Sequence, residues 1–153
     1  MTVPTFAENR TYKKVDIESQ AENLTAALST LHSTLKGVFK MDCLFCKIVK
    51  GNIPSKKVYE DESVFAFWDI APMAPVHVLI VPKMHISSVN EVTSENSAVI
   101  SHIYEVAAQL AKELGVAEDG YRIVTNCGKN AGQTVFHLHF HLLGGTALKV
   151  EMC

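Results

Sequence analysis

The stretch Phe136-His137-Leu138-His139-Phe140-His141-Leu142-Leu143 alternates imidazole and large apolar side chains. Side chains of a β-strand point to opposite faces with a period of two. The stretch therefore predicts a strand over 136–143, with His137, His139 and His141 on one face and Leu138, Phe140 and Leu142 packed on the other. A single histidine on such a strand needs no explanation beyond a satisfied core position. Three in strict alternation point to a shared use, either metal binding or the handling of phosphate and protons.

The residues just upstream bear on that choice. Gly128-Lys129-Asn130-Ala131-Gly132 reads as a loop, and Gln133-Thr134 leads from it into the histidine strand. Glycines let backbone N–H groups approach an anion closely, because no side chain blocks the way. The Gln133 amide and the Thr134 hydroxyl would add neutral donors. Loop and imidazole row together read as a phosphate site with a nucleophile in it.

Further out, Lys56 to Tyr59 and Ser63 to Trp68 are β-rich runs separated by Glu60-Asp61-Glu62, a predicted hairpin. Val76 to Val81 is an apolar strand stopped by Pro82, and Tyr121 to Asn126 a further strand. Between them, Thr93 or Ser94 can cap a long helix running through Leu114 and ended by Gly115, with Ile100, Ile103, Tyr104, Ala107, Leu110 and Ala111 facing inward. Antiparallel strands with a long helix on one face make an α+β domain. Toward the N-terminus, Ile17, Ala21, Leu24, Leu28, Leu31, Leu35 and Val38 advance by steps of four and three, the stripe of an amphipathic helix. So short a stripe must pack on its own domain or on a partner subunit. The expected organisation is an extension over residues 1–40, a polar tail followed by this helix, and a working domain over 41–153.

Composition excludes several classes. The 153 residues suffice for one domain with a core, and 48% hydrophobic with 20% charged residues is a globular balance. A formal charge of −2 gives no electrostatic reason to expect nucleic acid or an anionic membrane as partner. The longest apolar run, near Val76 to Pro82, contains His77 and is too short to span a bilayer. The N-terminus lacks a basic-then-apolar signal and carries Glu8, Asp16, Glu18 and Glu22, so the expected location is the cytoplasm, with a nuclear fraction allowed. Without a secretion signal, Cys43-Leu44-Phe45-Cys46 reads as a metal clasp or redox pair, with buried thiols or a labile disulfide as alternatives. Cys127 and Cys153 have no partner on this reading.

Taken whole, the run from Asn126 through Gly132-Gln133-Thr134-Val135 to His137-Leu138-His139-Phe140-His141-Leu142-Leu143-Gly144-Gly145 resembles the signature of the histidine triad superfamily, with an ending most similar to its Hint branch of purine nucleoside phosphoramidases. The resemblance extends to Leu44–Val49, Ile53-Pro54, Phe67-Trp68-Asp69-Ile70-Ala71-Pro72 and His77 through His85, covering roughly residues 42 to 145. It implies a histidine triad fold and a nucleotide hydrolase or transferase that cleaves AMP-amine bonds. His139 would be the nucleophile, oriented through its other nitrogen by a carbonyl of its own strand, and His141 would contact the phosphate and help protonate the leaving group. Gln133, Thr134 and Val135 match the phosphate turn, and Asn126 and Gly132 match phosphate and ribose contacts. Phe45, Trp68, Asp69 and Ile70 match the nucleoside pocket, with Asp69 on the ribose hydroxyls; core packing is the alternative for Phe45 and Ile70. His77 would support the triad strand.

A zinc-binding subset of the superfamily further implies a structural Zn2+ on Cys43, Cys46, His85 and His137, a closed shell of two sulfurs and two imidazoles. A homodimer acting on purine nucleotides is the implied assembly and substrate class. The runner-up within the same chemistry is a dinucleoside polyphosphate hydrolase of the fragile-histidine-triad branch, which usually follows the triad with Pro-Arg where this chain has Gly144-Gly145. A nucleotide-binding regulatory or scaffold protein, using its N-terminal helix as a contact surface, is the alternative of a different class.

Overall fold

The structure is a computed structural model and describes residues 43–149; the amphipathic stripe of residues 17–38 and Cys153 lie outside the described residues. Helix α1 (Leu44–Val49) precedes strands β1 (Lys57–Glu60), β2 (Val64–Trp68) and β3 (Val76–Pro82). Helix α2 (Ala98–Glu113) follows, then β4 (Tyr121–Val124) and β5 (Phe140–Gly144). All five strands form one antiparallel sheet in the order β1-β2-β3-β5-β4. The α+β expectation therefore holds: a five-stranded antiparallel sheet with one long helix on a face. No helix among the described residues is long and apolar enough to cross a membrane.

Both faces of the sheet are covered, which is why β2 and β3 read as continuous apolar runs. On one face Val64, Ala66, Val78, Ile80, Phe140 and Leu142 pack under α2 through Ile103, Val106, Ala107 and Leu110. On the other, Phe65, Phe67, Leu79 and Val81 pack with Phe45 and Ile48 of α1. The hairpin turn is held by Asp61, whose Oδ1 accepts from the Ser63 and Val64 amides, both at 2.8 Å.

Helix α2 ends as its sequence predicts. Gly115 takes φ +71°, its N–H reaches the Lys112 carbonyl, and the Val116 N–H reaches back to Ala111 at 2.9 Å, a Schellman motif. Its start differs from expectation. Thr93 does act as a cap, accepting from the Glu95 amide, but it closes a separate turn, and regular helix begins only at Ala98. One inward position also differs: Tyr104 is half in solvent, its ring edge against Phe140, and Val106 is buried in its place.

The histidine strand is shorter than its alternation suggests. Pairing of β3 with β5 stops at Ile80↔Phe140, although the same register would set Leu138 opposite Pro82. The Leu138 N–H turns instead to the Ile86 carbonyl at 2.6 Å, and the His137 N–H folds back on Val135 at 2.9 Å. The Pro82 carbonyl is taken by a side chain, His137 Nε2–H, at 2.8 Å. The alternation of faces survives this departure, because Leu138, Phe140 and Leu142 all remain in the core under α2.

Candidate active site and metal cluster

The three histidines share a face but differ in what holds them. The His139 ring, 5% exposed, donates from Nδ1 to the His137 carbonyl at 2.7 Å. A carbonyl can only accept, so Nδ1 carries the proton and Nε2 keeps its lone pair. The Thr125 hydroxyl donates to the His139 carbonyl at 2.9 Å and fixes the main chain from the other side. Phe45 packs edge-on against the same ring with centroids 5.2 Å apart.

His141 has the opposite tautomer, set by a chain of bonds that begins at a main-chain amide. The Met73 N–H donates to His77 Nδ1 at 3.1 Å, so the proton of His77 sits on Nε2. That Nε2–H points at His141 Nδ1, 2.8 Å away. His141 must then carry its proton on Nε2. The two triad rings, centroids 5.1 Å apart, thus present one lone pair and one N–H side by side. Burial pushes His141 down to about 4, and the neighbouring His139 and His77 push the same way, so the ring is neutral at physiological pH. Burial also lowers His77, opposed by Asp69, whose Oδ2 lies 3.4 Å from His77 Nε2. The other Asp69 oxygen accepts from the Ala71 amide at 2.8 Å.

Around this pair the residues expected at a nucleotide sort differently than the sequence suggests. Phe45 is both core and site wall, with rings at His139, His137 and Phe67. Ile70 is fully exposed, so the core alternative for it is wrong; it stands in water beside Asp69. Trp68 is not brought to the histidines. It lies cross-strand from Val78 and packs on the α2 side, with Lys56 over its ring, because strand alternation sends Trp68 and Phe67 to opposite faces.

Gln133 is also corrected. It is 3% exposed and its amide is consumed internally: Oε1 accepts from the Gly128 N–H at 2.9 Å, and Nε2 donates to the carbonyls of Ser87 and Val135 at 2.7 and 3.1 Å. It clamps the loop rather than offering a donor. The loop itself turns at Lys129–Ala131 between Gly128 and Gly132, both at positive φ, and the N–H groups of Ala131, Gly132 and Gln133 bond within it. Thr134, next in the chain, is exposed, and Asn126 is half-buried at the loop's start. Sequence reasoning missed Thr125 and the Met73 amide, since neither belongs to a recognisable pattern.

His137 belongs to a second cluster. Its Nε2–H is committed to Pro82, which leaves the Nδ1 lone pair facing Cys43 Sγ at 3.4 Å and Cys46 Sγ at 3.5 Å. His85 Nδ1 lies 3.3 Å from Cys46 Sγ. All four donor atoms lie within 4.8 Å of one another. A tetrahedral ion with metal–sulfur bonds of about 2.3 Å and metal–nitrogen bonds of about 2.0 Å separates S and N by about 3.5 Å. The three close sulfur–nitrogen separations, 3.3 to 3.5 Å, fit that edge. Cys43 caps α1 and Cys46 sits in its first turn, so one short helix delivers both thiols. Burial lowers His137 to about 4, against the opposing Pro82 bond, so its imidazole is neutral and able to ligate. The described cysteines 43, 46 and 127 form no disulfide.

Fold and site define a class: an α+β protein with a histidine triad entering the fourth position of an antiparallel sheet. The chain belongs to the HIT domain family, whose profile matches residues 50–148. It is 46% identical over 107 residues to a purine nucleoside phosphoramidase of Escherichia coli (strain K12), covering 70% of this chain and 90% of that protein. A HIT-like protein of Synechococcus elongatus is 47% identical over 107 residues, with 70% and 93% covered. Among solved structures, a HIT family hydrolase from Clostridium thermocellum superposes with TM-score 0.72 at 52% identity, covering 74% of this chain and 98% of its own. A histidine triad protein from Clostridium difficile gives 0.71 at 48% identity, covering 72% and 96%.

Proposed function

We propose that the protein is a nucleoside phosphoramidase, a hydrolase that cleaves AMP-amine bonds through a nucleotidyl-His139 intermediate. The observation that carries this reading is the pairing of tautomers: a lone pair on His139 Nε2 beside an N–H on His141 Nε2. The lone pair attacks the α-phosphorus and the P–N bond breaks. The departing amine takes one proton from the His77–His141 pair, as positive charge develops on the adjacent His139 ring. In the second half-reaction water attacks the same phosphorus, the bond to His139 breaks, and the water's proton returns to the pair. A neutral His139 is what the first half requires, because a protonated ring has no lone pair to attack with; in the second half its positive charge makes it a good leaving group.

The nucleoside end is assigned to Phe45, Asp69 and Ile70: Asp69 accepts from the ribose hydroxyls and the exposed Ile70 side chain covers a purine. Asn126, Gly132, Thr134 and Val135 line the phosphate side. Zinc is the metal that the two-thiol, two-imidazole set suits best. Its four protein ligands would close the shell, so the ion would supply rigidity rather than a Lewis acid. Residues 41–153 are taken as the catalytic domain and residues 1–40 as an extension; the active form is taken to be a homodimer, which sedimentation equilibrium tests directly.

The relative from Escherichia coli named as a purine nucleoside phosphoramidase supports this reading over dinucleoside polyphosphate hydrolysis. The test is turnover of adenosine 5′-phosphoramidate by the wild type and by His139→Ala. The variant should lose activity by several orders of magnitude; equal rates would refute the assignment of the nucleophile.

A further inference from the structure

We propose that the Cys43–Cys46–His85–His137 cluster positions the nucleophile, because its metal ion fixes the main chain whose carbonyl anchors His139. The inference rests on the readings of His139 as nucleophile and of the cluster as a metal site, and deepens both. His137 belongs to two constructions at once. Its side chain enters the cluster through Nδ1, and its carbonyl receives the His139 Nδ1–H at 2.7 Å. Whatever holds His137 therefore holds the tautomer and the direction of the His139 ring.

The surrounding backbone gives this weight. Residues 136–139 stand outside the β-ladder that begins at Phe140. What holds them is the Val135 turn, the bond from the Leu138 amide to Ile86, the packing of Leu138 in the core, the Thr125 hydroxyl on the His139 carbonyl, the His137 Nε2–H bond to Pro82, and the cluster. Without an ion, the cluster is a set of sulfur–nitrogen contacts at 3.3 to 3.5 Å, among the weaker polar interactions available to a protein. With one, four covalent-strength bonds join α1, the segment after β3 and the triad segment. Phe45 adds a second route. It lies on α1 between the two cysteines, and its ring meets both His137 and His139. Slackening the thiol pair frees the wall against which the nucleophile rests.

His85 is the ligand to remove, since it enters the cluster from the segment after β3 and meets the triad segment at the His137 ring, centroids 5.0 Å apart. Four preparations are compared: wild type as purified, wild type stripped by chelation, the stripped protein reloaded with Zn2+, and His85→Asn. Each is measured for metal content, for kcat and KM on adenosine 5′-phosphoramidate, and for amide exchange in peptides spanning 136–140 and 103–111. Loss of metal should lower kcat by about 10- to 100-fold, as loss of supporting groups around a site commonly does. KM should move less than kcat, because Asp69 and Ile70, which follow β2 rather than α1, keep their places. Exchange at Leu138 and His139 should quicken at least tenfold while the α2 core peptide is unchanged. Reloading should restore the wild type and leave His85→Asn slow.

Metal loss with kcat and exchange over 136–140 unaltered would overturn the proposal, even if His139 proved essential and zinc proved present. Equal acceleration of exchange in the α2 core would overturn it too, since the ion would then serve general stability. A wild type that binds no Zn2+ would remove both the metal reading and this inference, and leave the nucleophile assignment standing on His139→Ala alone.

Discussion

Replacing His141 by asparagine separates the proton-handling ring from the bond that holds it. Asparagine places a carbonyl oxygen where His141 has Nδ1, so His77 Nε2–H keeps an acceptor and the Met73 contact is undisturbed. The titrating ring is gone. In the wild type, burial holds His141 near 4, against an ordinary histidine value of about 6.5. Between those two values the unfolded chain binds a proton that the folded protein refuses. Stability from this group is thus complete above about pH 6.5 and falls as pH drops toward 4, by about 1.4 kcal/mol per pH unit. Between pH 7 and pH 5 the wild type should lose about 2 kcal/mol through His141 alone, and His141→Asn should be spared that loss.

Urea unfolding at pH 7 and pH 5 measures it. With a slope of roughly 1.5 kcal/mol per molar for a domain this size, the gap between wild-type and variant midpoints should change by about 1.3 M. Groups remote from His141 cancel in the difference, and the cavity left by the smaller side chain is the same at both pH values. At neutral pH the variant should also lose about 10²- to 10⁴-fold in kcat, because the Nε2–H donor has been removed. A midpoint difference that stays constant from pH 7 to pH 5 would show that His141 is not held neutral by burial, and the tautomer chain through His77 would fall with it.

Other substitutions probe the frame. Gln133→Leu takes the side-chain partner from the Gly128 amide and the Ser87 carbonyl, while the Val135 carbonyl keeps the His137 N–H, and chemical denaturation should report a loss of about 2–3 kcal/mol. Gly144→Ala would set a Cβ 2.9 Å from Val116 Cβ, so it should cost about 1–3 kcal/mol by overpacking, read as a lowered Tm. On the α2 side, His102 Nε2 bonds Asp61 and its Nδ1 bonds Glu105, and these bonds raise its pKa against the opposing effect of burial. Its contribution is therefore complete below about pH 6.5 and is lost as pH rises through the elevated value. For this partly exposed pair His102→Gln should cost about 0.5–1 kcal/mol at pH 5.5 and less at pH 8.5, measured by paired thermal melts.

The sequence made the faces of the site legible and left its internal assignments dark, for physical reasons that differ by residue. Alternation placed Leu138, Phe140 and Leu142 in the core and the histidines opposite, because side-chain period survives even where pairing stops. It could not reveal that pairing stops at Phe140, which depends on Leu138 finding Ile86 across the chain. Gly115 fixed the end of α2 because a left-handed residue is a local requirement; the start was obscured because Thr93 caps a turn that does not continue as helix. Trp68 and Ile70 flank Asp69 in sequence, yet one faces the α2 core and the other stands fully in solvent. Strand β2 ends at Trp68, so its period of two does not carry on to Ile70. The resemblance named Gln133 for the phosphate turn, but only the fold shows that its amide is wholly engaged by the main chain.

Three histidines of one strand pattern end up chemically distinct because each answers to a different main-chain group. The Pro82 carbonyl takes the proton side of His137 and turns its lone pair toward sulfur. The His137 carbonyl takes the proton side of His139 and turns its lone pair outward. The Met73 amide, a donor that cannot be switched, fixes His77 and through it gives His141 an outward N–H. Main-chain polarity does not titrate, and among these rings His77 also faces a carboxylate, Asp69 Oδ2 at 3.4 Å. A pocket anchored on carbonyls and amides holds a lone pair and an N–H on neighbouring rings, centroids 5.1 Å apart. That division accounts for the strict alternation with which the chain is first read: the spacing supplies a common face, and the surrounding backbone decides what each ring does on it.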